Sequence, residues 1–173
     1  VVIAIAMILV VVLFSIKPQP ILVVNQAGQA LAVIDLNNPN LWNDTQIEAS
    51  LSQFVTWFHS SNTATISEDT KNYLSLLAQE YLAKRTEELK SSGVYALVKE
   101  SFFVSTTKIE SVKIIKRGGF GNEPWEAVVS SATKIEGDHN SASHTAKFKD
   151  RIRFYLAPRT EINPLGIRDV TVL

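Results

Sequence analysis

The chain opens on an unbroken apolar run, Val1–Ile16, whose only polar side chain is Ser15. As a helix rising 1.5 Å per residue it would reach about 24 Å, against a hydrocarbon core of roughly 30 Å. The sequence begins at Val1 rather than Met, so we expect upstream residues to complete a span. Lys17, Pro18, Gln19 and Pro20 then place a charge and two prolines where a helix must stop and an extended linker begin. A signal-peptide core also carries an apolar run, but no A-x-A cleavage pattern follows this one. Valine and isoleucine lower helix propensity in water, whereas lipid forces internal backbone pairing and hence a helix. Residues 1–16 are therefore expected to be a transmembrane helix and residues 17–173 a single domain with its own core.

The bulk properties narrow what that domain does. Seventeen basic residues balance seventeen acidic ones, whereas a general nucleic-acid binder carries a basic excess. Cysteine is absent, which removes disulfides, thiol catalysis and cysteine-ligated metals.

Local patterns predict the elements. Ile21–Asn25 and Gln29–Ile34 are β-branched runs around a Gln26-Ala27-Gly28 turn. A helix should begin at Asn43 or Asp44 and bury Ile47, Leu51, Phe54, Val55 and Phe58, one stripe of a 3.6-residue period. A second helix, capped by Thr65 with Glu68 or by Ser67, should run to about Leu89. Tyr73, Leu74, Leu77 and Tyr81 should face inward there, and the charged residues from Lys84 to Lys90 should face solvent. Gly93 should end it, and Val94–Phe103 fits a short helix or a strand. Lys108–Lys116, Trp125–Ile135, Lys147–Leu156 and Ile167–Leu173 read as strands. Helices followed by antiparallel strands make an α+β domain with the helices on one face of the sheet.

Candidate chemistry is sparse. His59 lies at a helix end, where a cation suits the dipole. Asp138, His139 and His144 form a polar loop whose spacing is a weak metal signal, so neither metal nor cofactor is expected. Gly118, Gly119 and Gly121 lack the lysine and spacing of a phosphate cradle and read as a hairpin connection. In the Lys147–Leu156 strand, Lys147, Lys149, Arg151 and Arg153 alternate with Phe148, Asp150, Ile152 and Phe154. That stripe is a solvated face or a contact face for an acidic partner or lipid headgroups. Asn163-Pro164-Leu165-Gly166 is a pre-set turn: Pro164 fixes φ, Asn163 bonds its own backbone, and Gly166 permits a left-handed position.

The order is an apolar anchor, a proline linker, two helices, PWEAVV from Pro124, RIRFYL from Arg151, then NPLGI and a last strand. This order resembles the VirB8 and TraE family of conjugative type IV secretion systems. The Ile21–Ile34 hairpin is more similar to the TraE branch. The resemblance implies a single-pass protein of the bacterial inner membrane, N-terminus cytoplasmic, with a periplasmic domain of the NTF2-like fold: helices packed on a curved antiparallel sheet. It implies a non-enzymatic scaffold that associates with itself and with other inner-membrane and core-complex secretion subunits. Residues 1–16 would contact the bilayer, and no direct sequence-specific nucleic-acid binding is expected. Asn163, Pro164, Leu165 and Gly166 would belong to the assembly surface. The competing reading is a membrane-tethered small-molecule binding protein or enzyme of the same fold.

Overall fold

Asn43 starts the first helix by closing a reciprocal capping box. Its side-chain oxygen accepts from the Gln46 backbone N–H at 2.8 Å, and Gln46 Oε1 accepts from the Asn43 N–H at 3.2 Å. The structure is a computed structural model that describes residues 21–24, 30–34, 42–119, 123–137, 143–156 and 165–173, the first two segments as backbone only. The expected membrane helix, residues 1–16, lies outside the described residues. Among those described, no helix is long and apolar enough to cross a membrane.

Helix α1 spans Asp44–Phe58, α2 Ile66–Ser75, α3 Gln79–Ser92 and α4 Val94–Glu100. Strands β1, Ile21–Val24, and β2, Ala30–Ile34, pair antiparallel as the sequence predicts. Strands β3, Val104–Lys116, β4, Trp125–Glu136, β5, His144–Leu156, and β6, Leu165–Val172, form an antiparallel meander in sequential order. The class is α+β, as expected. The stripe on α1 buries Ile47, Leu51, Phe54 and Val55 completely or nearly so, and α2 and α3 add Tyr73 and Tyr81. They pack on the inward alternation of the sheet: Ala127 and Val129, Ile152, Phe154 and Leu156, Leu165 and Ile167. Each buried valine, leucine, isoleucine or phenylalanine among them contributes about 1.5–3 kcal/mol on leaving water. In β3 the register slips between Ile109 and Ser111. The extra residue resets the alternation, so Ile109, Val112 and Ile114 all reach the core.

Two expectations need correction. The predicted second helix is two helices, α2 and α3, broken at Leu76-Leu77-Ala78. The break has a long-range cause: the Ile167 N–H donates to the Leu76 carbonyl at 2.9 Å, and the Ala78 N–H donates to the Ile167 carbonyl at 2.7 Å. The chain leaves helical geometry there to form a parallel bridge with β6. The side-chain caps expected at the start of that helix, Thr65 with Glu68 or Ser67, also fail. Thr65 precedes α2 without capping it, because its hydroxyl donates to Asp69 Oδ2 at 2.7 Å. Gly93 does end α3, at φ 66°, a left-handed position where a side chain is strained. The ambiguous segment after it begins as the helix α4.

Candidate functional site

The turn proposed for assembly is half visible. Asn163 and Pro164 lie outside the described residues; Leu165 and Gly166 open β6. Leu165 is 1 % exposed and sits in the core opposite Leu156. Gly166 pairs with Tyr155. It does not take the left-handed backbone expected of it, since Gly93 holds the positive φ among the described residues. The reason is that Gly166 already belongs to the strand. A Cβ at Gly166 would meet nothing within 4 Å, so the bare backbone faces open space. Arg168 lays its guanidinium over the neighbouring Tyr155 ring at 4.1 Å. Beside this strand head, Trp42, Trp57, Leu76 and Leu165 line a recess of about 320 Å³ that also touches Gln53 on α1. Neither tryptophan's place on this recess follows from the helical period, because the recess is closed by the break at Leu76.

The basic stripe lies where the alternation predicts. Lys147, Lys149, Arg151 and Arg153 are exposed, while Asp150, Ile152, Phe154 and Leu156 are buried. Register extends the stripe across the sheet. Lys147 faces Ala132, which faces Lys108; Arg151 faces Val128, which faces Lys113. Arg153 Nε lies 3.4 Å from Glu126, and Lys134 pairs with Glu136. The outer sheet face therefore carries a cationic patch on a chain with no net charge.

Sequence reasoning missed the partner of His59. Its ring Nε2 lies 2.7 Å from Asp150 Oδ2, and the carboxylate is fully buried. The imidazole stacks on Phe148 at 3.9 Å and 14° between planes. His59 caps the end of α1 and Asp150 points inward from β5, so the pair ties the helix layer to the sheet. The inward phase of Asp150 was legible in the alternation; that a residue 91 positions earlier meets it was not. Arg85 is the second surprise. It was expected in solvent, but its guanidinium lies over the Phe58 ring at 4.8 Å and donates to Glu88 at 3.0 Å. His144 is exposed at the start of β5; Asp138 and His139 lie outside the described residues. Among those described, no group of three or more metal-ligating side chains converges.

Comparison with known proteins places the architecture. No protein-family model and no curated protein matches the chain by sequence. Solved structures match its shape. The periplasmic domain of DotI superposes with a TM-score of 0.64 at 12% identity, over 77% of this chain and 96% of that one. An IcmL-like type IV secretion system protein from Legionella pneumophila gives 0.61 at 9% identity, over 76% and 93%. The VirB8 protein of Agrobacterium tumefaciens gives 0.57 at 9% identity, over 72% and 88%. The fold is thus VirB8-like, the fold of periplasmic domains from type IV secretion proteins.

Proposed function

We propose that this chain is a non-enzymatic structural subunit of a conjugative type IV secretion system, close to the TraE branch. In this reading residues 1–16 hold it in the inner membrane with the N-terminus cytoplasmic. The domain works in the periplasm as an NTF2-like scaffold for channel or pilus assembly during DNA transfer. It associates with itself and with other inner-membrane and core-complex subunits, without a cofactor and without reading DNA sequence. The observation that carries the proposal is the VirB8-like fold spanning about three quarters of the chain, with NPLG at the head of β6. The assembly surface is the head of β6, where Leu165 lines the recess between Trp42 and Trp57 and Gly166 follows it along the strand. Bare backbone at Gly166 and half-buried indole rings are the materials of a well-packed contact. The outer basic face, Lys147, Lys149, Arg151 and Arg153, is a second contact region that steers acidic partners.

The test is crosslinking in cells that express the complete secretion system. A photoreactive residue at Gln53 should trap a second copy or another subunit, and Gly166→Trp should abolish both the adduct and conjugation. A domain that stays monomeric and unpartnered, in cells where conjugation survives deletion of the gene, overturns the proposal.

A further inference from the structure

The two edges of the sheet, β3 and β6, are finished differently. Strand β6 is covered at Ile167 by the rung to Leu77, whereas the rim of β3 is met, among the described residues, only at its head. There the Thr63 N–H donates to the Phe103 carbonyl and the Phe103 N–H donates to Thr63 Oγ1, both at 2.9 Å. Phe103 therefore turns its backbone groups away from β4. Successive residues of a strand turn theirs to opposite sides, so Ser105, Thr107 and Ile109 also turn outward. Thr107 fits this phase. Its hydroxyl lies 2.9 Å from that of Thr133 across the ladder, the close approach of a pair that exchanges no backbone bonds. No described residue meets the outward N–H and C=O groups of Thr107 and Ile109. The register slip after Ile109 ends the run.

A crevice of about 250 Å³ lies against this rim. Ser105 and Thr107 point to the inner face and Thr106 to the outer, so a crevice that touches all three runs along the strand's edge. Its far wall holds Ser60, Asn62, Thr65 and Asp69. Asp69 Oδ2 accepts from Ser60 Oγ at 2.5 Å and from Thr65 Oγ1 at 2.7 Å; among the described residues nothing bonds Oδ1 and no cation pairs with the carboxylate. Further along the same face, Ile109 packs on the core yet stays half-buried. A row of free backbone groups, a carboxylate without a counter-ion and a half-covered isoleucine specify one kind of occupant. We propose that the β3 edge, Ser105–Ile109, docks an extended segment of a partner protein as an added antiparallel strand, with a lysine or arginine directed to Asp69 and an apolar residue two positions away beside Ile109. Backbone bonds supply the hold, and side chains at a period of two supply the choice of partner. The occupied length is about five residues, or roughly 17 Å. The bulge keeps the pairing short, which lets an open edge persist without open-ended aggregation. This surface lies apart from the head of β6, and its test does not pass through that contact.

The probe is acetyl-Thr-Lys-Thr-Val-Thr-amide, titrated into the labelled full chain in detergent micelles and read by amide chemical shifts. The amides of Thr107 and Ile109 should shift and saturate with a constant on the order of 1 mM. Those of Thr106 and Lys108, which face β4, should barely move. Glutamate in place of the peptide's lysine should weaken binding about tenfold, the loss of one charge-assisted hydrogen bond. Asp69→Asn should remove that preference and leave both peptides binding equally weakly. N-methylation of the peptide's lysine and valine, whose N–H groups face β3 in this pairing, should abolish the shifts; N-methylation of its central threonine should not. Any of four outcomes overturns the proposal: no saturation by about 20 mM peptide, equal binding of the glutamate peptide, equal loss from methylation at either set of positions, or the same amides shifting when the chain alone is concentrated, which would give the edge to a second copy.

Discussion

Asp150 shows what a single residue tells and withholds. Its alternation with Ile152 and Phe154 commits it to the core side of β5, and a buried carboxylate demands a partner. Sequence cannot say which, because His59 reaches it from the other layer of the domain. At 0 % exposure for the aspartate side chain and 9 % for the histidine, the pair is a buried one. Removing one member is therefore worse than removing both. His59→Ala should lose about 3–5 kcal/mol in urea unfolding. The double variant with Asp150→Ala should cost less than the two single losses added together, the signature of coupled neighbours. Additive losses would mean that the 2.7 Å contact contributes nothing of its own. Arg85 was misplaced for a related reason. Its neighbours Lys84, Glu87 and Lys90 mark a solvated face, and the cation–π contact with Phe58 that draws it in depends on α1 and α3 lying together.

At the scale of elements, local chemistry was a good guide wherever the cause was local. Asn43 announces α1, Gly93 ends α3, and the alternation from Lys147 to Leu156 is a strand. The split between α2 and α3 has no local cause. Leu74, Leu77 and Tyr81 keep a helical period straight through it, and the interruption comes from Ile167, some 90 residues onward by the numbering. The interruption can be tested with proline. Ala78 has φ −65°, already the proline value, so Ala78→Pro deletes little besides the N–H that reaches Ile167. It should destabilise the protein by about 1 kcal/mol, the cost of an orphaned carbonyl less the gain from a stiffer unfolded chain. Gln79→Pro, at the first position of α3 where the N–H has no helical partner, should be neutral or stabilising. Equal effects at both positions in thermal melts would show that the rung to Ile167 does not matter.

For the molecule as a whole, class and layer order were legible because they follow from the succession of helices and strands. The cationic outer face was visible along β5; its continuation through Lys108 and Lys113 required the register. The recess of Trp42 and Trp57 required both the helix break and the docking of β6. Charge on the sheet face should matter to encounters rather than to folding. Converting Lys147, Lys149 and Arg151 together to glutamate should change stability by no more than about 0.5 kcal/mol per site. It should also abolish the salt sensitivity of association with secretion partners, measured as rate against ionic strength. A triple variant that unfolds would show instead that the face is part of the fold's own stabilisation. The helix break has one more implication, for mechanics. Strand β6 is gripped on both flanks, by β5 along its length and by Leu76 and Ala78 at the rung of Ile167. A pull along the strand from the NPLG end is therefore shared by all these bonds at once, in shear. A sideways pull meets them in turn, like a zip. A neighbour attached at the head of β6 would be held firmly against tension along the strand and released by a tug across it.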